Sequence, residues 1–520
     1  MEAIRKNRTQ IIVLAILAVL LFMAIQGMST RDWVVTVLRG LSVGAITFLV
    51  ASGFSIILGL MDVLNLAHGT LFMIGAYLGW SVYVRPDSFV DLLTPLTLVL
   101  AGLLLIPLFS RLLGRLKLPK TVDRIWPFVG LAAALGLLVP LWSRAPIALW
   151  SPDVYTDSPI VWSQNMDLGT VASLVQPASW EGIAPILGLA GLILVGLLAG
   201  LSLAGLSRRE GTVAGKLPLR PLAYFGIVVA LGLLIYVGND ALTGALLGMD
   251  TTLLFLIAIV VATLGGAALG SLIEFSMIRP LYDRAIYQIM LTFGLAFIGT
   301  EIVRGIWGRT GFTMPRPSMF NGSGEGCPAD SFSGWLQHRC ATIVLEIGGE
   351  TARIRTYNEI FVIVVGLVVL VAVWLLLQRS RLGMIIRAGV QDGEMVQALG
   401  INVRRVFTLV FGLGVGLAAL GGVLAGPSMG LSDGMGAHLL LGALIALAIG
   451  GLTSYPGAAA GSLLVGLVQQ FIIKYGSIGI NLPFMAEPFK PSPPLVPAST
   501  VLLMVIILLV MPQGLFGRKE

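Results

Sequence analysis

Charge is what this chain has least of. Asp, Glu, Lys and Arg make up 11% of its 520 residues, where soluble domains carry roughly a quarter. That is too little charge to clothe a water-soluble surface of this size. Cysteine and histidine are scarcer still, at two and three residues. His68, His338 and His438 fall in separate segments, without the spacing of a metal site. There is no G-x-x-x-x-G-K-S/T phosphate loop, so the chain should not hydrolyse ATP itself. H-E-x-x-H, G-x-S-x-G and CxxC motifs are missing too. Nothing here points to an enzyme, a cofactor or a metal.

Apolar residues fill the space, at 57%. They come in runs long enough to cross a bilayer, which only helices with internally paired backbones do in this pattern. The sequence therefore predicts an all-α, polytopic transmembrane protein. Spans are expected at 11–28, 36–58, 66–84, 92–112, 125–142, 184–206, 221–238, 251–278, 288–307, 358–378, 406–426, 438–451, 457–475 and 498–511. These are about fourteen crossings, and each strongly basic loop then falls on the cytoplasmic side. Both termini do so as well, through Arg5, Lys6 and Arg8 at one end and Arg518 and Lys519 at the other. A basic start and an apolar core also fit a cleaved signal peptide. Without a convincing small-residue cleavage pattern, a retained first helix is the reading here. The excess of Lys and Arg, 33 against 26 acidic residues, is explained by these inner loops and calls for no nucleic acid.

Cys327 and Cys340 share the expected outer loop 308–357, where an oxidising compartment would let them pair. Glycine numbers 64. Its dense runs after residue 412 suit close helix packing in lipid, while Pro427 and Pro456 predict discontinuous helices there.

Two polar passages stand out. Arg379–Arg405 is a long hydrophilic loop with Arg387, Arg404 and Arg405 around Asp392 and Glu394. It reads as a short cytoplasmic helix capped by Gly400. Such a helix could receive force from a soluble partner, or the loop could simply fix topology. The second passage is GLMDVLNLAHG, Gly59–Gly69, with Asp62, Asn65 and His68 between apolar runs. It is either a broken helix lining a cavity or a turn at the inner face. Glu301 and Arg304, three apart, can pair. Glu274 either snorkels or pairs with Arg279.

LNLAHGTLFMIGAY, Leu64–Tyr77, and RAGVQDGEMVQALGINVRRV, Arg387–Val406, together resemble the branched-chain amino acid ABC transporter permease family, LivH type. IRPLYDR, GGLTSYPGAAAGSLLVGL and the closing MPQGLFG support the likeness, which covers roughly 36–84 and 251–520. The resemblance implies a bacterial inner (plasma) membrane permease subunit for branched-chain amino acids, or for urea or short amides. Its implied partners are two ABC ATPase subunits, a second LivM-type permease, a periplasmic substrate-binding protein and membrane lipid. It makes Arg387, Ala388, Asp392, Gly400 and Ile401 part of an ATPase-coupling helix. It places Asn65, Ala67, His68 and Gly69 near the translocation path.

The chain departs from the pattern at Val396, where the family has Ala, and across 85–250, which matches nothing recognisable and adds about four spans, an even number that preserves the flanking topology. The expected organisation is therefore N-terminal spans over 1–84, an inserted membrane region over 85–250, and the rest of the permease core over 251–520. The competing readings are an ion-coupled secondary transporter using Glu274 or Asp62, and a scaffold subunit without transport of its own.

Overall fold

The computed structural model describes residues 28–114, 119–147, 165, 168, 170, 179–207, 220–391, 393–398, 400–480 and 487–517. The expected first span up to residue 27, Asp392, and the terminal Arg518 and Lys519 lie outside them. In chain order the helices are α1 Thr30–Met61, α2 His68–Val84, α3 Pro86–Leu103, α4 Ile106–Gly114, α5 Lys120–Trp142, α6 Pro185–Ser207, α7 Arg220–Val237, α8 Asn239–Leu247 and α9 Thr251–Ile273. There follow α10 Ala285–Trp307, α11 Phe332–His338, the strands β1 Thr342–Ile347 and β2 Glu350–Arg355, then α12 Val362–Arg379, α13 Arg381–Gln391, α14 Gly393–Ala398, α15 Val403–Met429, α16 Met435–Gly450, α17 Tyr455–Ile478 and α18 Leu495–Val510. Ten helical segments among the described residues are long and apolar enough to span a membrane, and α16 and α18 are shorter apolar helices. Among the described residues the architecture is all-α apart from the antiparallel hairpin β1–β2.

The chain divides into two compact units, Met1–Trp80 with Thr251–Glu520, and Ser81–Asp250. In the first, α1 lies against α15, α16 and α17, and α9 runs along α15. Glycine makes these crossings possible. A Cβ on Gly53 would sit 2.3 Å from the Gly414 carbonyl oxygen, and one on Gly69 would sit 2.3 Å from that of Gly436. The backbones themselves are in contact, and that closeness substitutes for the weak drive of apolar burial in lipid. Local caps fix the ends. The Ser29 hydroxyl accepts from the Asp32 N–H to start α1, and Asn402 and Ser454 cap α15 and α17 in the same way. Pro427 falls in the last turn of α15 and Pro456 in the first turn of α17, so neither breaks a helix mid-span. The discontinuities lie elsewhere. Among the described residues they include the unwound 62–67 between α1 and α2, the turn at 104–105 between α3 and α4, and the π-helical turns Glu274–Ile278 and Thr356–Phe361.

The 308–357 passage is folded rather than a plain loop. It holds a 3₁₀ turn at Ser318–Phe320, α11 and the hairpin, and Cys327 is bonded to Cys340. A two-way backbone bridge between Phe312 and Leu431 ties it to the segment following α15.

In the second unit α6 packs on α3, α4 and α5, and α7 packs on α3. Gly102, Gly196 and Gly200 bring α3 and α6 into backbone contact. The buried Arg85 and Asp87 pair at 2.8 Å, and the Asn239 amide donates to Asp91 at 2.6 Å. The outward faces of α5 and α7 carry exposed Val139, Leu135, Leu234 and Val237, a surface suited to lipid tails.

Candidate functional site

Between α1 and α2 the chain leaves helical geometry for six residues. Asp62 takes the left-handed conformation, φ 53°, and its N–H closes back on the Leu58 carbonyl. Asn65 restarts the helix: its side-chain oxygen accepts from the Ala67 N–H at 3.1 Å and its carbonyl accepts from the His68 N–H. Backbone groups stranded by such a break are costly in an apolar interior. Thr292 of α10 answers two of them. Its hydroxyl accepts from the Leu66 N–H at 3.2 Å and lies 3.3 Å from the Leu64 carbonyl, to which it can donate. Thr292→Val should therefore destabilise the protein by about 1–3 kcal/mol, the cost of leaving buried polar groups unmade. A lower Tm of the detergent-solubilised protein checks this, with Thr292→Ser staying near wild type. An unchanged Tm for the valine variant refutes it.

Asn65, Ala67, His68 and Gly69 come together at this break and are all buried. His68 points between helices. Its Nε2 lies 3.1 Å from the Val50 carbonyl and its ring meets Phe54 edge-on at 5.7 Å. Asp62 is exposed at the same turn. Glu274 neither snorkels nor stands free. It is fully buried and takes hydrogen bonds from Tyr282 and Thr408, with Arg279 Nε at 3.9 Å. Glu301 does pair with Arg304, which also reaches Asp433 at 2.7 Å.

The basic stretch folds as two helices, α13 and α14, where one was expected. Asp392, which separates them in the sequence, lies outside the described residues. Ala388 is half-buried, and Arg387 is exposed and donates to Gln378 at 2.7 Å. Gly400 ends α14 at φ +82°. Its N–H bonds the Gln397 carbonyl and the Ile401 N–H bonds that of Val396, the paired closure of a Schellman cap. Val396, the departure from the family pattern, is buried.

Straight after this stretch α15 begins, and at its far end lies a cavity of about 620 Å³, within the roughly 300–1,000 Å³ of small-molecule sites. Its walls come from α1, α16, α17, α18, the end of α15 and the π turn at 356–361. Arg39 meets Glu359 there, Nε to Oε1, at 3.0 Å. The π turn is fastened to α15 by the Tyr357 hydroxyl on the Leu424 carbonyl and by Ser428 on Asn358 Oδ1, each 3.0 Å. It is fastened to the disulfide segment by Thr356 on the Cys340 carbonyl, also 3.0 Å. Asn65, Ala67, His68 and Gly69 are not among the residues lining this cavity. The cavity residues carry no local motif, and apart from His438, read only as lacking metal-site spacing, sequence reading passed over them. Their signal was polarity inside expected spans: Arg39 in 36–58, Glu359 in 358–378, and the Gln469–Gln470 pair in 457–475.

Residues 36–153 and 222–511 match the family described as branched-chain amino acid transport system, permease component. The high-affinity branched-chain amino acid transport system permease protein LivH of Salmonella typhimurium is 27% identical over 278 residues, 53% of this chain and 79% of that protein. LivH of Escherichia coli K12 is 28% identical over the same length. BraD of Pseudomonas aeruginosa, of like description, is 34% identical over 166 residues, 32% of this chain and 49% of that one. No solved structure matches. With well over half its length inside the family match, this multi-pass membrane protein belongs to the permease components of branched-chain amino acid transport systems, the membrane-spanning subunits of ABC importers.

Proposed function

We propose that this chain carries branched-chain amino acids, or a similar small polar solute such as urea or a short amide, across a bacterial inner membrane. Family membership brings ATPase and substrate-binding partners. In our reading two separate ATPase subunits supply the energy, a periplasmic protein delivers the solute, and a second, LivM-type permease completes the path. Both termini and α13–α14 face the cytoplasm, because the basic loops sort to that side. The observation that carries this reading is the single helix α15, with the α13–α14 stretch at its start and the cavity at its end. Arg387, Ala388, Asp392, Gly400 and Ile401 dock the ATPase, and ATP-driven closure of the ATPase pair moves α15. Asn65, Ala67, His68 and Gly69 serve the path as a packed, broken-helix joint. Residues 85–250 form an added membrane region, a reading supported by the separate unit Ser81–Asp250. The family match leaves only 154–221 of it outside.

The test is co-purification from mildly solubilised native membranes, wild type beside Asp392→Arg. An ABC-type ATPase should accompany wild type and be lost from the variant. Solute uptake that persists in cells lacking the ATPases refutes the proposal.

A further inference from the structure

Among the guanidinium groups lining the cavity, that of Arg39 is fixed at one end and open at the other. Arginine offers five N–H donors in a rigid fork. Arg39 spends its Nε on Glu359, and no hydrogen bond to a described residue takes up its Nη groups. Its side chain is 47% exposed, whereas that of Glu359 is 1% exposed. Glu359 is itself held, its second oxygen accepting the Arg355 N–H at 2.7 Å. The carboxylate is thus a fixed brace behind Arg39, setting the direction in which the open side of the fork faces.

Charge and lining agree with that. Arg355 also lines the cavity, and Glu359 is the one carboxylate among the lining residues, so the wall carries a positive excess. Just outside, burial together with repulsion from Arg355 holds the Arg316 guanidinium below its ordinary pKa. A positive excess against low-dielectric walls concentrates anions. Among the other lining residues, Gln469 and Gln470 carry amides that make no hydrogen bond to described residues, and Val43, Ile46 and Ile445 add apolar wall. A guanidinium fork matches a carboxylate in two parallel, charge-assisted bonds. A neutral amide offers no charge and satisfies the fork poorly.

We propose that Arg39, oriented by Glu359, receives the carboxylate of the transported solute, so that the cavity selects carboxylate-bearing solutes over neutral amides of the urea type. This rests on the transport reading above and narrows it. Arg39 is the group that touches the solute, and Glu359 is a positioning residue acting through it.

Two measurements test this separately from transport as such. The first is equilibrium binding of radiolabelled L-leucine to the full-length permease complex in nanodiscs, which needs no ATP hydrolysis. The second is ATP-driven uptake of L-leucine and of urea by the whole importer in proteoliposomes. Arg39→Gln should weaken L-leucine binding and raise its uptake KM by at least about tenfold, the scale of one charge-assisted contact pair. Arg39→Lys should recover part of this, as charge without the fork. Glu359→Gln should fall between Arg39→Gln and wild type, with its loss in KM rather than kcat. Yield of assembled complex checks folding. Arg39→Gln that binds L-leucine as wild type does, wild type that binds no L-leucine, or uptake that favours urea each overturns the inference. Binding that depends on Arg39, without ATP-driven uptake, upholds the inference and overturns the transport reading instead.

Discussion

Replacing Gly461 by leucine will remove folded protein from the membrane. A Cβ at this position would lie 1.9 Å from the Ala446 carbonyl oxygen, and one on the facing Gly450 would lie 1.9 Å from that of Gly457. Both obstacles are backbone, so no rotamer change relieves them. α16 and α17 would have to part along a contact that also carries α18 and, through Gly466 against Gly40 and Gly44, α1. Such disruption is of the severe class, about 4 kcal/mol or more, against a total stability of only about 5–15 kcal/mol. The monodisperse fraction of a detergent extract should fall below the wild-type level, because the loss removes most of a margin near about 5 kcal/mol. Gly294→Ala and Gly305→Ala are the matched controls. Both sit in α10 with no atom within 4 Å of the new Cβ, and alanine is the better helix former. They should extract at wild-type levels. A Gly461→Leu protein that does likewise would show that the α16–α17 contact is not needed.

Ile386→Asp should leave the protein in the membrane and stop transport. Ile386 is a buried apolar residue of α13 that joins the core cluster of Phe48, Ile56, Val410, Leu420 and Tyr455. A carboxylate there is either desolvated at a cost of several kcal/mol or swings α13 away from its seat. The contacts among α1, α15, α16 and α17 do not run through α13, so insertion and folding survive. In the coupling role proposed for α13, a helix off its seat transmits no stroke. ATP-driven L-leucine uptake should fall at least a hundredfold, about 2.7 kcal/mol of lost transition-state stabilisation, with extractable protein within about twofold of wild type. Ile386→Val, a small loss of apolar volume, should keep most of the activity. Uptake at the wild-type rate in Ile386→Asp would refute a force-bearing α13.

The apolar runs made the helices legible because lipid leaves a backbone few other ways to pair its N–H and C=O groups. The cap at Gly400 was legible for a similar local reason, since a left-handed residue after a helix is a short-range requirement. Cys327 and Cys340 were legible because topology put both on one loop. The break at 62–67 was visible as polarity, but what sustains it was not. Thr292 lies 226 residues from Leu66, and nothing in its neighbourhood marks it. Pro427 and Pro456 pointed to the wrong places for discontinuity, because a proline within a turn of a helix end costs little. Of the π turns described, Thr356–Phe361 has no proline beside it, whereas Glu274–Ile278 is followed by Pro280, a signal the reading did not use. The cavity was least legible. Arg39 and Glu359 are 320 residues apart, and each alone reads as a charge near the end of a span.

α15 has a further consequence. It is 27 residues long and continuous, about 40 Å at 1.5 Å per residue, and its midsection is clamped by backbone contact at Gly414 and Gly422. A rod held at its middle tilts as a seesaw, and its far end takes with it the π turn bonded to Leu424 and Ser428. A tilt of 10° about the clamp carries each end some 3–4 Å in opposite senses, by the same helix dimensions. In the coupling role proposed for α13 and α14, a push at the α14 end therefore appears at the Ser428 end with its sign reversed and its size preserved. On that reading the subunit needs no relay of small side-chain shifts to carry the stroke along its length.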